Sequence, residues 1–150
     1  MRLALFQPDI PQNLGGAIRT AACFDAALDI IEPCGFPLTD KAIRRAAMDY
    51  GGLADVRRHA GWDHFVADLR ARGDRLVLLT TGAAAPLWEV VFEETDVLLM
   101  GRESSGVPDA VREEADMSAR IPLAEGARSL NVVVAAGVAL AEARRQIGSI

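Results

Sequence analysis

Two four-residue runs, Leu76-Val77-Leu78-Leu79 and Val97-Leu98-Leu99-Met100, contain no polar residue. A strand with one wet face alternates apolar and polar side chains. A strand covered on both faces does not, so these runs require layers on both sides of the sheet they enter. Each ends in small or polar residues, Thr80-Thr81-Gly82 and Gly101, that mark its exit. Strand and helix patterns alternate along the rest of the chain. The class that satisfies both observations is α/β with a mainly parallel sheet.

The remaining elements follow from periodicity and punctuation. Leu3 to Phe6 reads as a short buried strand. The two prolines within residues 7–12 resist both helix and central strand, which makes that stretch a loop. Asn13 is then expected to cap a helix carrying Leu14, Ala17, Ile18, Ala21 and Ala22 at helical spacing, with Arg19 on the other side. Leu28-Asp29-Ile30-Ile31 is the second strand, stopped by Pro33 and Gly35. Asp40 is placed as the cap of a helix with a basic face, Lys41, Arg44 and Arg45, which Gly51-Gly52 breaks. A strand around Asp55-Val56-Arg57-Arg58 leads to an amphipathic helix over residues 62–69, closed by Gly73. Pro108 suits the first turn of a helix running through Val111 to Ala115, and Ala119-Arg120-Ile121 makes the last strand. Ser129 is expected to cap the last helix, with Asn131 in its first turn. The run over residues 132–141 has no polar face and calls for burial nearly all round, in a core or an interface.

A chain of 150 residues is long enough for one domain with a real core, and no linker or repeat divides it. The apolar start, Leu3 to Phe6, is too brief for a signal peptide, and residues 132–141 fall short of the about 20 needed to cross a bilayer. Cys23 and Cys34 lack C-x-x-C spacing and nearby histidines, so they read as buried free thiols of a cytoplasmic protein. A formal charge of −5 disfavours nucleic acid as a partner unless positive charge is concentrated locally. Lys41, Arg44, Arg45, Arg57 and Arg58, with Tyr50 and His59 nearby, offer such a patch, suited to phosphate contacts and base stacking. A solvated charged face would have the same composition.

Several chemistries find no support. The sequence has neither G-x-x-x-x-G-K-[ST] nor G-x-G-x-x-G, which excludes a P-loop and an ordinary dinucleotide fingerprint. No G-x-S-x-G elbow surrounds Ser104, Ser105 or Ser129, and His59 and His64 lie in a region expected to be exposed. Carboxylates and histidines at metal-ligand spacing are absent, so no metal is expected. Ligands of parallel sheets bind beyond the carboxyl ends of strands, which makes Thr80–Gly82, Gly101–Gly106 and Ile121–Asn131 candidates for one shared site.

Three motifs remain: Asn13-Leu14-Gly15-Gly16-Ala17-Ile18-Arg19, Gly101-Arg102-Glu103-Ser104-Ser105-Gly106-Val107-Pro108, and Ile121-Pro122 with Ser129-Leu130-Asn131. In order and spacing they resemble the SpoU branch of the SPOUT methyltransferases, over almost the whole chain. Ile31-Glu32-Pro33-Cys34-Gly35-Phe36 and Arg44-Arg45-Ala46-Ala47-Met48-Asp49-Tyr50 are similar to its compact TrmL-type subgroup, which methylates the ribose of the tRNA wobble nucleotide. Arg102 departs from the pattern, standing where the subgroup often has proline.

The resemblance implies a single SPOUT domain with a C-terminal trefoil knot and no appended RNA-binding domain. It implies S-adenosylmethionine in the knot, no metal, and a homodimer with active sites at the interface. The expected substrate is cytidine or uridine 34 in a tRNA anticodon stem-loop; the alternatives are a ribosomal RNA target and a catalytically silent RNA-binding or cofactor-sensing module. By the same resemblance the cofactor contacts fall on Leu79, Thr80, Gly101, Ile121, Ser129 and Leu130, with Thr81 a neighbour, and the catalytic neighbourhood on Asn13, Arg19, Glu103, Ser129 and Asn131. Bland readings coexist with these: Asn13 and Ser129 as helix caps, Gly101 and Gly106 as turn punctuation, Glu103 as a solvated loop carboxylate. Arg19 is the residue the resemblance puts forward to activate the ribose hydroxyl. A guanidinium rarely gives up a proton, so orienting phosphate and stabilising a developing alkoxide are the easier roles.

Overall fold

The computed structural model describes residues 1–47, 50, 53 and 55–148. In chain order these form β1 (Arg2–Phe6), α1 (Pro11–Cys23), β2 (Ala27–Ile31), α2 (Asp40–Ala47), β3 (Val56–His59), α3 (Trp62–Arg72), β4 (Arg75–Leu79), β5 (Asp96–Met100), α4 (Asp109–Glu114), β6 (Met117–Ala119) and α5 (Val132–Ile147). A 3-10 turn, Leu87–Glu89, interrupts the passage from β4 to β5. The strands pair in the order β3-β2-β1-β5-β4-β6, every pairing parallel. The chain runs outward from β1 to β3, crosses back, and builds the other half beside β1. The reversal lies between β1 and β5, and ligands of open α/β sheets collect beyond such a switch.

Strict alternation sorts the strand side chains onto two covered faces. Leu3, Leu5, Val77, Leu79, Leu98 and Met100 meet α1 and α5 through Leu14, Ile18, Ala136 and Leu140. Ala4, Phe6, Leu76, Leu78, Val97 and Leu99 meet Phe65 and Leu69 of α3 and Val111 of α4. Burying each leucine contributes roughly 1.5–3 kcal/mol, and only a sheet with both faces covered gathers that from consecutive residues. The helix pair on the first face is close: a Cβ on Gly16 would stand 3.1 Å from Val133 Cγ2.

Several boundaries differ from expectation for physical reasons. Pro11 does not resist α1 but begins it, at the position where a missing N–H costs nothing, with Ile10 at the N-cap. Asn13 is therefore not the cap, and its side chain is available elsewhere. Asn131, not Ser129, caps α5: its Oδ1 accepts from the Val133 N–H at 2.9 Å, and Ser129 lies outside the helix. At α2 the cap hydroxyl belongs to Thr39, which accepts from the Ala42 N–H at 3.1 Å, and Asp40 sits in the first turn. Pro108 is the N-cap of α4. β6 stops at Ala119 because the Arg120 main chain turns to a new partner: its N–H donates to Ala85 O at 2.9 Å and its carbonyl accepts from the Leu87 N–H at 2.7 Å.

His59 ends β3 buried, with Nε2 2.7 Å from Asp29 Oδ1, which corrects the exposed placement expected for it. The cysteines are free, but Cys23 is exposed and Cys34 half-buried. α5 buries Ala136, Ala139, Leu140 and Ala143, yet Val134 is 52% and Val138 38% exposed, so this chain covers one side of the helix only. The Met48-Asp49 pair and the Gly51-Gly52 break lie outside the described residues. Among those described, no helix is long and apolar enough to cross a membrane.

Candidate active site

The three strand exits do converge. They line one open cavity of about 690 Å³ at the carboxyl ends of β4, β5 and β6. Leu79 and Thr80 come from the first exit, Gly101 and Glu103 from the second, and Ile121, Ser129, Leu130 and Asn131 from the third. Asn13 reaches the same cavity from the first turn of α1. Ile10 and Arg112 also line it. Neither was singled out from the sequence; an apolar residue 40% exposed beside a motif is the only mark Ile10 carries.

The loop after β5 closes on itself. Arg102 N–H donates to Gly106 O and Gly106 N–H to Arg102 O, both at 2.9 Å, a miniature antiparallel bridge. Gly106 has φ +69°, in the left-handed region that glycine tolerates. A Cβ on Gly101 would stand 2.7 Å from the Gly106 carbonyl carbon, so Gly101 is demanded by the closure of the loop itself. The Arg102 N–H is half of that closure, and a proline there would have none to give.

A hydrogen-bonded chain of side chains runs along the cavity's edge. Asn13 Nδ2 donates to Glu103 Oε1 at 2.9 Å, and the Asp9 N–H donates to Glu103 Oε2 at 2.8 Å. Asn131 Nδ2 donates to Asn13 Oδ1 at 3.1 Å, while Asn131 Oδ1 caps α5. Each amide is thus fixed at both ends. Both Glu103 oxygens are met by neutral donors, and among the described residues no cation pairs with the carboxylate they aim. Such an arrangement can orient a hydroxyl beside a pocket whose lining mixes apolar side chains, among them Leu79, Met100, Ile121 and Leu130, with glycines and polar groups.

The other expected site residues fall outside the cavity. Arg19 does not line it; its guanidinium carbon lies 5.4 Å from the centre of the Tyr50 ring, a cation–π contact. Lys41, Arg44 and Arg45 are exposed along α2. Arg58 is bound twice, to Glu32 at 2.9 Å and Asp40 at 2.8 Å, and Arg57 stands 3.9 Å from Asp55.

The model of the SpoU rRNA Methylase family matches residues 1–141. The chain belongs to this family. Among SpoU relatives, the tRNA (cytidine(34)-2′-O)-methyltransferase of Ancylobacter novellus is 53% identical over 148 residues, which cover 99% of this chain and 94% of that protein. The tRNA (cytidine(34)-2′-O)-methyltransferase of Beijerinckia indica is 50% identical, covering 99% of this chain and 92% of its own. A solved structure concerned with the 2-OH methylation of C/U34 on tRNA superposes with a TM-score of 0.89 at 40% identity, covering 99% of this chain and 97% of that one. The SpoU methyltransferase AviRb of Streptomyces viridochromogenes, solved with AdoMet, gives 0.88 at 26% identity over the whole of this chain and 61% of its own.

Proposed function

We propose that the chain transfers a methyl group from S-adenosylmethionine to the ribose 2′-hydroxyl of nucleotide 34, a wobble pyrimidine, in tRNA anticodon loops. The observation that carries this reading is likeness at 50–53% identity, over nearly the full length of both partners, to enzymes named for that reaction. It extends across the motif loops and across the Ile31–Phe36 region, not the cofactor loops alone.

The cavity fits the cofactor. Its volume suits an adenosine bearing an amino-acid tail, and the tight Gly101–Gly106 loop at its edge supports a wall that offers main-chain groups to it. Leu79, Thr80, Gly101, Ile121, Ser129 and Leu130 hold it in this reading. Bound there, it supplies a methyl group already activated by the sulfonium. The chain's own residues then align one hydroxyl and ease removal of its proton. Glu103 fixes Asn13, and Asn13 with Asn131 presents amide groups toward the ribose; Ser129 adds a hydroxyl at the rim. Arg19 orients phosphate and stabilises the developing alkoxide.

Arg19 lies away from the cavity of its own chain, which favours its entering the site of a second copy. A homodimer also accounts for the apolar stripe of Leu130, Val134 and Val138 that this chain leaves in solvent beside the cavity. The trefoil knot belongs to the same reading, supported by Arg120 being held against the 83–87 turn before the chain reaches α5. RNA is recruited by this domain itself, through Lys41, Arg44, Arg45, Tyr50, Arg57 and Arg58, in the cytoplasm.

Mass-spectrometric mapping of 2′-O-methyl nucleosides in tRNA and ribosomal RNA, from cells with and without the protein, tests the proposal. The expected result is loss at position 34 of tRNA. Loss only at a ribosomal site would promote the ribosomal target, and cofactor binding without any transfer would leave a silent module. Sedimentation of a monomer that methylates RNA would reject the dimer.

A further inference from the structure

We infer that Asp9 is the positioning residue of the site: it acts through Glu103, holding three consecutive residues of the 101–106 loop from the exit of β1. This rests on the reading that Glu103 belongs to the methyl-transfer site. The geometry is that of a clamp. The Asp9 main-chain N–H donates to Glu103 Oε2 at 2.8 Å. On the residue after, the Ser104 N–H donates to Asp9 Oδ2 at 3.2 Å, and the Ser104 hydroxyl donates to the same oxygen. On the residue before, Arg102 Nε lies 3.7 Å from Asp9 Oδ1 and donates to Gln7 O at 3.3 Å. One short segment after β1 therefore grips both flanks of Glu103 and one of its carboxylate oxygens.

The clamp is backed from behind. The Gly35 N–H donates to Pro8 O at 2.9 Å, and a Cβ on Gly35 would stand 3.0 Å from Asp9 Cα, so the β2 exit presses on the Asp9 backbone. The Ser104 hydrogen bonds also hold the Asp9 carboxyl below the usual carboxylate range, which keeps it an acceptor for both donors. Asp9 does not line the cavity, and its contacts spare the Arg102–Gly106 bridge that shapes the cofactor wall. Loosening Asp9 should misdirect Glu103 and leave cofactor binding alone. A misplacement of about 1 Å can cost about 100-fold in rate, so a loss of about 10- to 100-fold in kcat is expected for a slackened clamp.

The test measures methyl transfer to a tRNA anticodon stem-loop by the intact protein, with S-adenosylhomocysteine affinity followed by calorimetry. Asp9→Asn removes the charge and turns one acceptor oxygen into an amide NH2, which faces either the two Ser104 donors or Arg102 according to how the amide lies, so one side of the clamp is lost. It should lower kcat while KM for RNA and the affinity for S-adenosylhomocysteine hold. In the Glu103→Gln background the same substitution should cost nothing more, because Asp9 has no other route to the reaction. Ser104→Ala, at an exposed position, removes one clamp donor without touching the fold and should give a smaller kcat loss, which covers the case of an Asp9 variant that does not fold. Normal kcat in both Asp9→Asn and Ser104→Ala, or a further loss when Asp9→Asn is added to Glu103→Gln, overturns the inference. If Glu103→Gln itself transfers normally, the assignment of Glu103 to the site fails instead.

Discussion

Asp29 and Asp96 on one hand and Glu103 on the other are carboxylates held in opposite ways. Where the strands begin, Arg2 and Arg75, the first residues of β1 and β4, each grip a fully buried aspartate with two nitrogens: Arg2 on Asp29 at 2.6 and 2.9 Å, Arg75 on Asp96 at 2.7 and 2.8 Å. His59 adds a third partner to Asp29, and the Glu93 N–H a third to Asp96. Beyond the end of β5, Glu103 receives, among the described residues, an amide and a main-chain N–H, at the mouth of a cavity. Opposite charge at close range settles a carboxylate into the fold, whereas neutral donors orient it and leave its charge for something else. The contrast separates carboxylates that stabilise from one that is kept poised.

Four measurements can break or sharpen that contrast. The largest effect is expected for Asp96→Ala, which takes the two-pronged carboxylate from a partly buried guanidinium, leaves it Glu93 and the Val91 carbonyl, and should cost about 3 kcal/mol in urea unfolding, with transfer per folded molecule unchanged. Wild-type stability would show that the N-terminal pairs are ornamental. Glu103→Gln should do the reverse: unfolding free energy within about 0.5 kcal/mol of wild type, and methyl transfer down about 100-fold. A destabilised but active variant would put Glu103 with the structural carboxylates. Gly101→Val forces a branched side chain into the Gly106 backbone, and overpacking of this kind costs about 1–3 kcal/mol, seen here as about tenfold weaker S-adenosylhomocysteine binding in calorimetry. Unchanged affinity in a folded variant would detach the loop from the cofactor.

The smallest effect concerns acid. Burial by itself would push the Asp29 carboxyl up, but the hydrogen bonds from Arg2 and His59, with the charge of Arg2, hold it below the usual carboxylate range. A carboxyl depressed in the folded state stabilises above the unfolded value, near about pH 4, and loses that contribution as pH falls through the lower folded value. Unfolding free energy should therefore decline more steeply below pH ~4 in wild type than in Asp29→Asn. Parallel pH curves would mean that Asp29 contributes nothing as an ion.

The parallel sheet was legible because Leu76 to Leu79 and Val97 to Met100 leave no face for water, and that pattern has one common solution. The shared cavity was legible too, since polar residues after buried strands have few places to go. Caps were less readable: Asn13, Ser129 and Asn131 are all competent cap residues, and only tertiary bonding decides that Asn131 turns inward to Val133 while Asn13 reaches across to Glu103. His59 looked exposed because its neighbours Arg57 and Arg58 are charged; alternation along β3 carries it under the sheet to Asp29. Nothing local in residues 7–10 announces Asp9, whose partners lie more than ninety residues ahead. Helical periodicity puts Arg19 on the exposed side of α1, where it lies, but no spacing announces the Tyr50 ring beneath its guanidinium.

The Asn131–Asn13 hydrogen bond joins residues 118 positions apart, nearly the two ends of the fold. During synthesis, therefore, this edge of the cavity cannot form before Asn131, at the start of α5, has left the ribosome. Until then the six strands hold together by their own side chains, and a product cut short before residue 129 lacks one wall of the cavity.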